Sequence, residues 1–353
     1  MSKPKLWELD IVRAVAIAAV LLIHGTSSSR MDLPLGSRSS TFYFAINNLS
    51  IFAVPVFIFL SGLVLFYSYS DTWTVRRTPG FYRKRLQFIL IPYLIWSVFY
   101  YMYNQWLDPT VKIQFSLGQF ADLLPWGLAA YHLYFMVIIM QMYALFPLLI
   151  SLVKLWRPLG RYLWLFGILV QAGYFVYRQF EDTPLQYGDR LFITYFAVFC
   201  IGGSIGMHYE RFVGWLNRNI WWMTAAAASV GLIYLLITLQ AFRGMRVEAW
   251  EYELMFNLYP TLVAMALIWI GRHCVENAPR LTAVLSSFGA ASFGIYFTHV
   301  ALMSYYGTLV SVPVGQAGYH IAVWGNIVLI FTVPWAVVHL LKKVKGSWLL
   351  FGK

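Results

Sequence analysis

Charge is scarce in this chain: only 11% of its 353 residues are Asp, Glu, Lys or Arg, and only two are cysteine, Cys200 and Cys274. One thiol falls on an apolar run and the other beside a basic loop, which implies neither a disulfide framework nor a metal set. Acidic residues are few, 14 against 26 basic ones, for a formal net charge of +12. Low-complexity linkers and internal repeats are missing too. With no stretch available for an appended soluble domain, chemistry is expected from the apolar runs and their short loops. What remains is 60% hydrophobic and 19% aromatic. That composition excludes an ordinary soluble enzyme and points to a polytopic membrane protein.

Apolar runs of about 17 to 25 residues bounded by charges or turn residues occur near 6-26, 42-70, 84-104, 131-153, 160-178, 190-208, 219-240, 254-273, 286-309 and 318-341. The second is too long for one straight span and is expected to open with an interfacial turn around Asn47, Asn48 and Ser50. Helices satisfy their own backbone groups inside lipid. The expected fold is therefore all-α, a transmembrane bundle of about ten spans forming one integral-membrane domain over residues 1-353.

Cations test the count, because they gather in short cytoplasmic loops. With the N-terminus inside, the inner segments collect Lys3, Lys5, Arg76, Arg77, Arg83, Lys84, Arg85, Lys154, Arg157, Arg161, Arg211, Arg218, Arg272, Arg280, Lys342, Lys343, Lys345 and Lys353. The outer loops collect fewer, including Arg30, Arg38 and Lys112, diluted by carboxylates. A missed helix would reverse this sign pattern downstream, so both termini are expected to be cytoplasmic. The positive charge is thus a topology signal, and no nucleic-acid partner is expected. Lys3 and Lys5 before an apolar run imitate a signal peptide, but Glu8, Asp10 and Arg13 interrupt that run and argue against one.

The first run, LWELDIVRAVAIAAVLLIH, carries Arg13 and His24 beyond the carboxylates of its opening turn, in a segment where charge is costly and marks function. Arg13 and His24 are 11 positions apart: three helical turns plus about 20°, and about 16 Å along the axis. They share one face at two depths. Asp10 is too far from His24 to orient it, but can hold Arg13 through an i to i+3 pair.

The opening LDIVRAVAIAAVLLIH, with its Arg-x10-His spacing, resembles the signature of the acyltransferase-3 family of integral membrane O-acyltransferases. VPVFIFLSGLVL at 54-65, FYRKRLQFILIPYLIW at 81-96, AAYHLYFM at 129-136 and SFGIYFTHV at 292-300 resemble that family's further blocks, in order and over nearly the whole chain. One departure stands out: Phe88 occupies the place where many members carry a second arginine after the one matching Arg85. This chain therefore lacks the paired-arginine arrangement at that place.

The resemblance implies transfer of an acyl group, acetyl by default and succinyl as an option, from cytoplasmic acyl-CoA to a hydroxyl of an extracytoplasmic carbohydrate or lipid-linked glycan. Membership implies a multi-pass protein of the bacterial plasma (inner) membrane. The donor's phosphates want cations at the inner mouth, which Arg13, Arg83, Lys84 and Arg85 offer, with Asp10 holding Arg13 and Ser61 as a further donor-side candidate. His24 is the candidate general base, since an imidazole titrates near working pH, and a direct transfer is preferred over an acyl-enzyme. His132 with Tyr131, and His299 with Tyr296, are candidate acceptor or supporting residues. No metal is called for. Oligomerisation and an extracellular partner protein are left open.

Bland readings stand beside these. Arg13 can snorkel to the inner surface; His24, at the outer end of its run, can be an interfacial histidine; Tyr131 and His132 can belong to an aromatic belt. Ser61-Gly62 can simply let helices approach. A different class also stays open, a carrier or flippase for a polar glycan or lipid-linked intermediate, with Arg13 and the histidines lining its route. Dependence on coenzyme A separates the two.

Overall fold

The computed structural model describes residues 3–181 and 185–352, and Lys353, counted above among the inner cations, lies outside them. Fifteen α-helices occur among the described residues: α1 Glu8–Asp32, α2 Arg38–Leu49, α3 Ala53–Tyr69, α4 Thr78–Arg85, α5 Ile91–Leu107, α6 Leu117–Leu123, α7 Tyr134–Leu155 and α8 Arg157–Arg161 come first. They are followed by α9 Leu163–Gln179, α10 Phe196–Met207, α11 Tyr209–Phe242, α12 Ala249–Asn277, α13 Pro279–Leu309, α14 Tyr319–Leu341 and α15 Trp348–Phe351. No strand is present among them. The fold is an all-α polytopic helical bundle.

Eight helical stretches among the described residues are long and apolar enough to cross a membrane, and each coincides with an expected run. The remaining two runs fold as shorter helices. α9 has 17 residues, about 25 Å of rise against a hydrocarbon core of about 30 Å, and the other is the short apolar stretch Phe192–Met207. These two are consecutive, so counting them in or out together leaves the direction of every later helix unchanged.

Several boundaries differ from the sequence reading for identifiable reasons. α1 runs on to Asp32 instead of stopping near 26. Thr26 Oγ1 donates to the Leu22 carbonyl at 2.6 Å and Ser27 Oγ to that of Ile23 at 2.5 Å, so hydroxyls at and just past the expected boundary bond back into the helix. The break in the second run lies at Ser50–Phe52, and Asn47 and Asn48 are helical. There the Tyr259 hydroxyl donates to the Leu49 carbonyl at 2.7 Å, satisfying an end group of α2. The segment between the third and fourth expected runs contains α6.

The chain forms two compact units. One comprises Ile58–Tyr209 with Met1–Lys3 and Leu340–Lys353; the other comprises Pro4–Phe57 and Glu210–His339. In the second, α1 is the central helix, packed against α2, α12 and α13. Glycines set the spacing. A Cβ at Gly289 would lie 1.8 Å from the Asp10 carbonyl oxygen, and one at Gly271 would lie 2.7 Å from that of Glu8. Small residues at membrane helix contacts let backbones approach in this way. α13 meets Asp10 at Gly289 and His24 at His299, so α1 and α13 run parallel.

In the first unit the same device joins α3 to α10. A Cβ at Gly62 would sit 2.1 Å from the Phe199 oxygen, at Gly202 2.2 Å from that of Phe59, and at Gly206 2.2 Å from that of Leu63. The close-packing reading of Ser61-Gly62 therefore describes Gly62. Cys200 is buried beside Gly167 of α9. Phe66, Tyr69, Trp73, Phe81 and Phe146 form a continuous aromatic cluster.

Candidate functional site

Along α1 the second unit arranges two polar groupings. At the helix start, where carboxylates complement the dipole, Asp10 is buried and shared: Arg13 approaches one of its oxygens at 2.6 Å and Lys5 the other at 2.7 Å. The i to i+3 pair expected from spacing is thus present. Glu8, also buried, accepts from Arg272 of α12 at 3.4 Å, and Arg272 reaches on to Glu276 at 3.6 Å. Sequence reading missed Lys5, Glu8 and Arg272 as partners. Buried carboxylates were the available signal, because such groups need a cation.

Further along is His24, half-buried and two turns short of the helix end, not at it. Its ring centroid lies 5.2 Å from that of the fully buried His299, with planes inclined by 37°. Tyr296, one turn before, lies 6.4 Å from His299. The His299 Nδ1 is 3.0 Å from the Ile295 carbonyl. A carbonyl oxygen only accepts, so Nδ1 carries a proton that it donates to this carbonyl.

The backbone under His24 is held from α2. Asn47 Nδ2 donates to the Ile23 carbonyl at 2.8 Å and reaches Thr26 Oγ1 at 3.2 Å and Ser27 Oγ at 3.3 Å. Arg30, assigned to an outer loop by sequence, is helical. It donates to Asn47 Oδ1 at 3.3 Å and lies over the rings of Phe44 and Phe242.

The first unit holds the other candidates. Arg83 and Lys84 are exposed at the end of α4. Arg85 turns inward between the rings of Phe81 and Tyr143, at 4.9 and 4.6 Å, contacts that suit a guanidinium. Leu86–Leu90 then form a π-helical turn, and α5 follows with Pro92 near its start. π turns concentrate at functional sites. Phe88 lies in this turn, its ring 6.0 Å from that of Trp348. Ser61 is half-buried on α3.

Tyr131 and His132 part company in the 3-10 turn Tyr131–Leu133: Tyr131 is exposed, whereas His132 is buried, its ring 4.9 Å from Tyr100 in an edge contact. The simple aromatic-belt reading therefore fits Tyr131 and not His132. Just before the turn Asn104 donates to the Ala129 carbonyl at 2.8 Å, and on α7 the Gln141 amide ties the 190–192 backbone, donating to the Arg190 carbonyl at 3.0 Å and accepting from the Phe192 N–H at 2.9 Å. Asp71, outside the spans, accepts from Lys3 at 2.8 Å, and this hydrogen bond holds its carboxyl below the ordinary range. No group of three or more His, Cys, Asp or Glu side chains suited to a metal occurs among the described residues.

The structure thus brings Asp10 to Arg13, and His24 to His299, which lies beside Tyr296, in one unit. Arg83, Lys84, Arg85, Ser61, Tyr131 and His132 belong to the other.

A family model described as an acyltransferase domain matches residues 6–340. Among curated proteins, one from Staphylococcus aureus (strain MSSA476) bearing the name "Probable poly-beta-1,6-N-acetyl-D-glucosamine export protein" is 26% identical over 320 residues, covering 86% of this chain and 83% of the relative. A protein of the same name from Staphylococcus epidermidis is 25% identical over 313 residues, covering 86% and 82%. No solved structure matches.

Proposed function

From the premise that this chain belongs to the acyltransferase-3 family of integral membrane acyltransferases, we propose that it moves an acyl group, acetyl by preference, from acyl-CoA on the cytoplasmic side to a hydroxyl of an extracytoplasmic polysaccharide. The acceptor class is drawn from the relatives' names and is a glucosamine-containing polymer. The observation that carries the reading is that His24, paired with His299 of α13, stands on the same helix as the Asp10–Arg13 pair.

Arg13 offers the donor's anionic groups a guanidinium held by Asp10, whose other oxygen is paired with Lys5, and is suited to charge-assisted contacts. The rise of about 16 Å between Arg13 and His24 suits an extended pantetheine arm. His24 accepts the proton of the attacking hydroxyl as its oxygen bonds to the thioester carbonyl carbon. The carbon–sulfur bond then breaks, and the imidazolium returns the proton to the departing thiolate. An O-acyl ester and free coenzyme A result. His299, with Nδ1 committed to Ile295, acts as a positioning residue for His24. Arg83, Lys84, Arg85 and Ser61 stay donor-side candidates, and His132, Tyr131 and Tyr296 supporting ones.

A second reading, export of a glycan, is favoured by the relatives' printed names. The deciding experiment is coenzyme A dependence in proteoliposomes. Labelled acetyl groups that move from acetyl-CoA to saccharide, in parent but not His24→Ala protein, support transfer. Saccharide passage without any thioester, equal in both proteins, would establish the carrier instead.

A further inference from the structure

Beyond the C-terminal end of α1 the second unit has an open groove of about 330 Å3, lined by Arg38, Ser39, Phe42, Tyr43, His320 and Trp324. Its floor is Tyr43, buried with Leu33 and Tyr319, which ties the groove to the residue that closes α1. The Tyr43 hydroxyl meets His320 Nδ1 at 2.9 Å and the two rings stack at 5.7 Å. This fixes the exposed imidazole and leaves its Nε2 for a ligand. Phe42 and Trp324 are large aromatic side chains, 52% and 39% exposed, and Arg38 is exposed and makes no ion pair among the described residues.

The geometry points to a saccharide subsite in this groove, one that grips an oligosaccharide acceptor some way along the chain from the sugar being acylated. The inference rests on the acceptor class proposed above. Two aromatic faces beside a guanidinium, a hydroxyl and an imidazole match the alternation of apolar ring faces and hydroxyls on a pyranose. A lipid phosphate would call for several cations, and Arg38 is the one lining the groove. Leu33 lies nine residues past His24, about 13 Å along the helix axis. A single sugar ring does not bridge that distance, but a short oligosaccharide does. The acceptor is therefore expected to be a chain, and the enzyme to favour longer acceptors over a monosaccharide.

The test uses purified full-length protein and a length series of β-1,6-linked glucosamine oligomers, from the monomer upward, with parent, Trp324→Ala and Arg38→Gln. Two quantities are read: oligomer binding by calorimetry without donor, and KM and kcat for acetyl transfer. The expected result is a binding constant and KM for long oligomers weakened roughly three- to tenfold, the value of one aromatic stacking contact, with monomer kinetics and kcat unchanged. Arg38→Gln, which leaves the aromatic floor intact, should act in the same direction. The groove assignment is overturned if both variants bind long oligomers as the parent does, or if monomer and oligomer lose equally. It also falls if the variants change only the anionic lipid carried through purification. A parent that binds oligomers through Trp324 yet transfers nothing from acetyl-CoA would sink the transferase reading and leave the groove standing.

Discussion

Replacing Gly289 by alanine should damage this protein more than the size of a methyl group suggests. The added Cβ would sit 1.8 Å from the Asp10 carbonyl oxygen, about 1.6 Å short of an ordinary 3.4 Å contact. The obstacle is backbone on a neighbouring helix, so no rotamer change relieves it. α1 and α13 must separate where Asp10 holds Arg13, on the same pair of helices that carries His24 and His299. Overpacking of this kind costs about 1 to 3 kcal/mol, and misplacement of reacting groups by about 1 Å can cost about a hundredfold in rate. Gly307, on the same α13, is exposed with nothing within 4 Å of its would-be Cβ. There alanine should stabilise by up to about 1 kcal/mol through helix propensity. Thermal unfolding of detergent-purified Gly289→Ala and Gly307→Ala, together with acetyl-transfer rates, reads both effects. A Gly289→Ala protein with the parent's unfolding temperature and turnover would refute the packing argument.

Other outcomes can be measured on the same preparations. His24→Ala should lose transfer by at least about a hundredfold while binding coenzyme A as the parent does in calorimetry. Arg13→Ala should weaken that binding by about tenfold or more, since it removes a charge-assisted contact, and Asp10→Asn should weaken it less; equal affinity in both variants and the parent would remove Arg13 from the donor site. Asn47→Leu should destabilise by about 1 to 3 kcal/mol, because the amide that ties Ile23, Thr26 and Ser27 is lost in a buried place; amide exchange should rise first in residues 22–30. Asp71 is depressed by Lys3, so its contribution is present above the ordinary carboxylate range and disappears as pH falls through its lowered value. The pair is exposed, so the gain is below about 1 kcal/mol. Asp71→Asn should flatten this part of the acid limb of stability, and an unaltered limb would show the contact to be idle.

The helical character of the chain was legible because lipid leaves few options to a backbone, and every expected run is helical. What escaped was local. The first run was expected to stop near 26, yet the hydroxyls of Thr26 and Ser27 serve carbonyls of the same helix, which continues to Asp32, and His24 lies in the interior of α1 instead of at its end. Asn47 read as an interfacial turn because its partner carbonyl, on Ile23, carries no sequence signal. Helical spacing put Asp10 beside Arg13 correctly, since that contact spans one turn. It could not join His24 to His299, which depends on how α1 and α13 cross. His132 and Tyr131, adjacent in sequence, were separated by a 3-10 turn that sends one ring inward and the other out.

The π-helical turn at Leu86–Leu90 sets the angular phase of everything around it. It takes one residue more per turn than an α-helix, so the face of α5 is rotated by about 100° relative to α4 from where an unbroken helix would put it. Arg85 reaches Phe81 and Tyr143 under that phase. A single-residue deletion within 86–90 would therefore act as a rotation and not merely a shortening, turning the α4 cations to a new bearing while leaving composition and hydropathy almost untouched. Relatives that differ by one residue in this stretch present different faces at matching letters, and alignment there has to follow helical angle before residue identity.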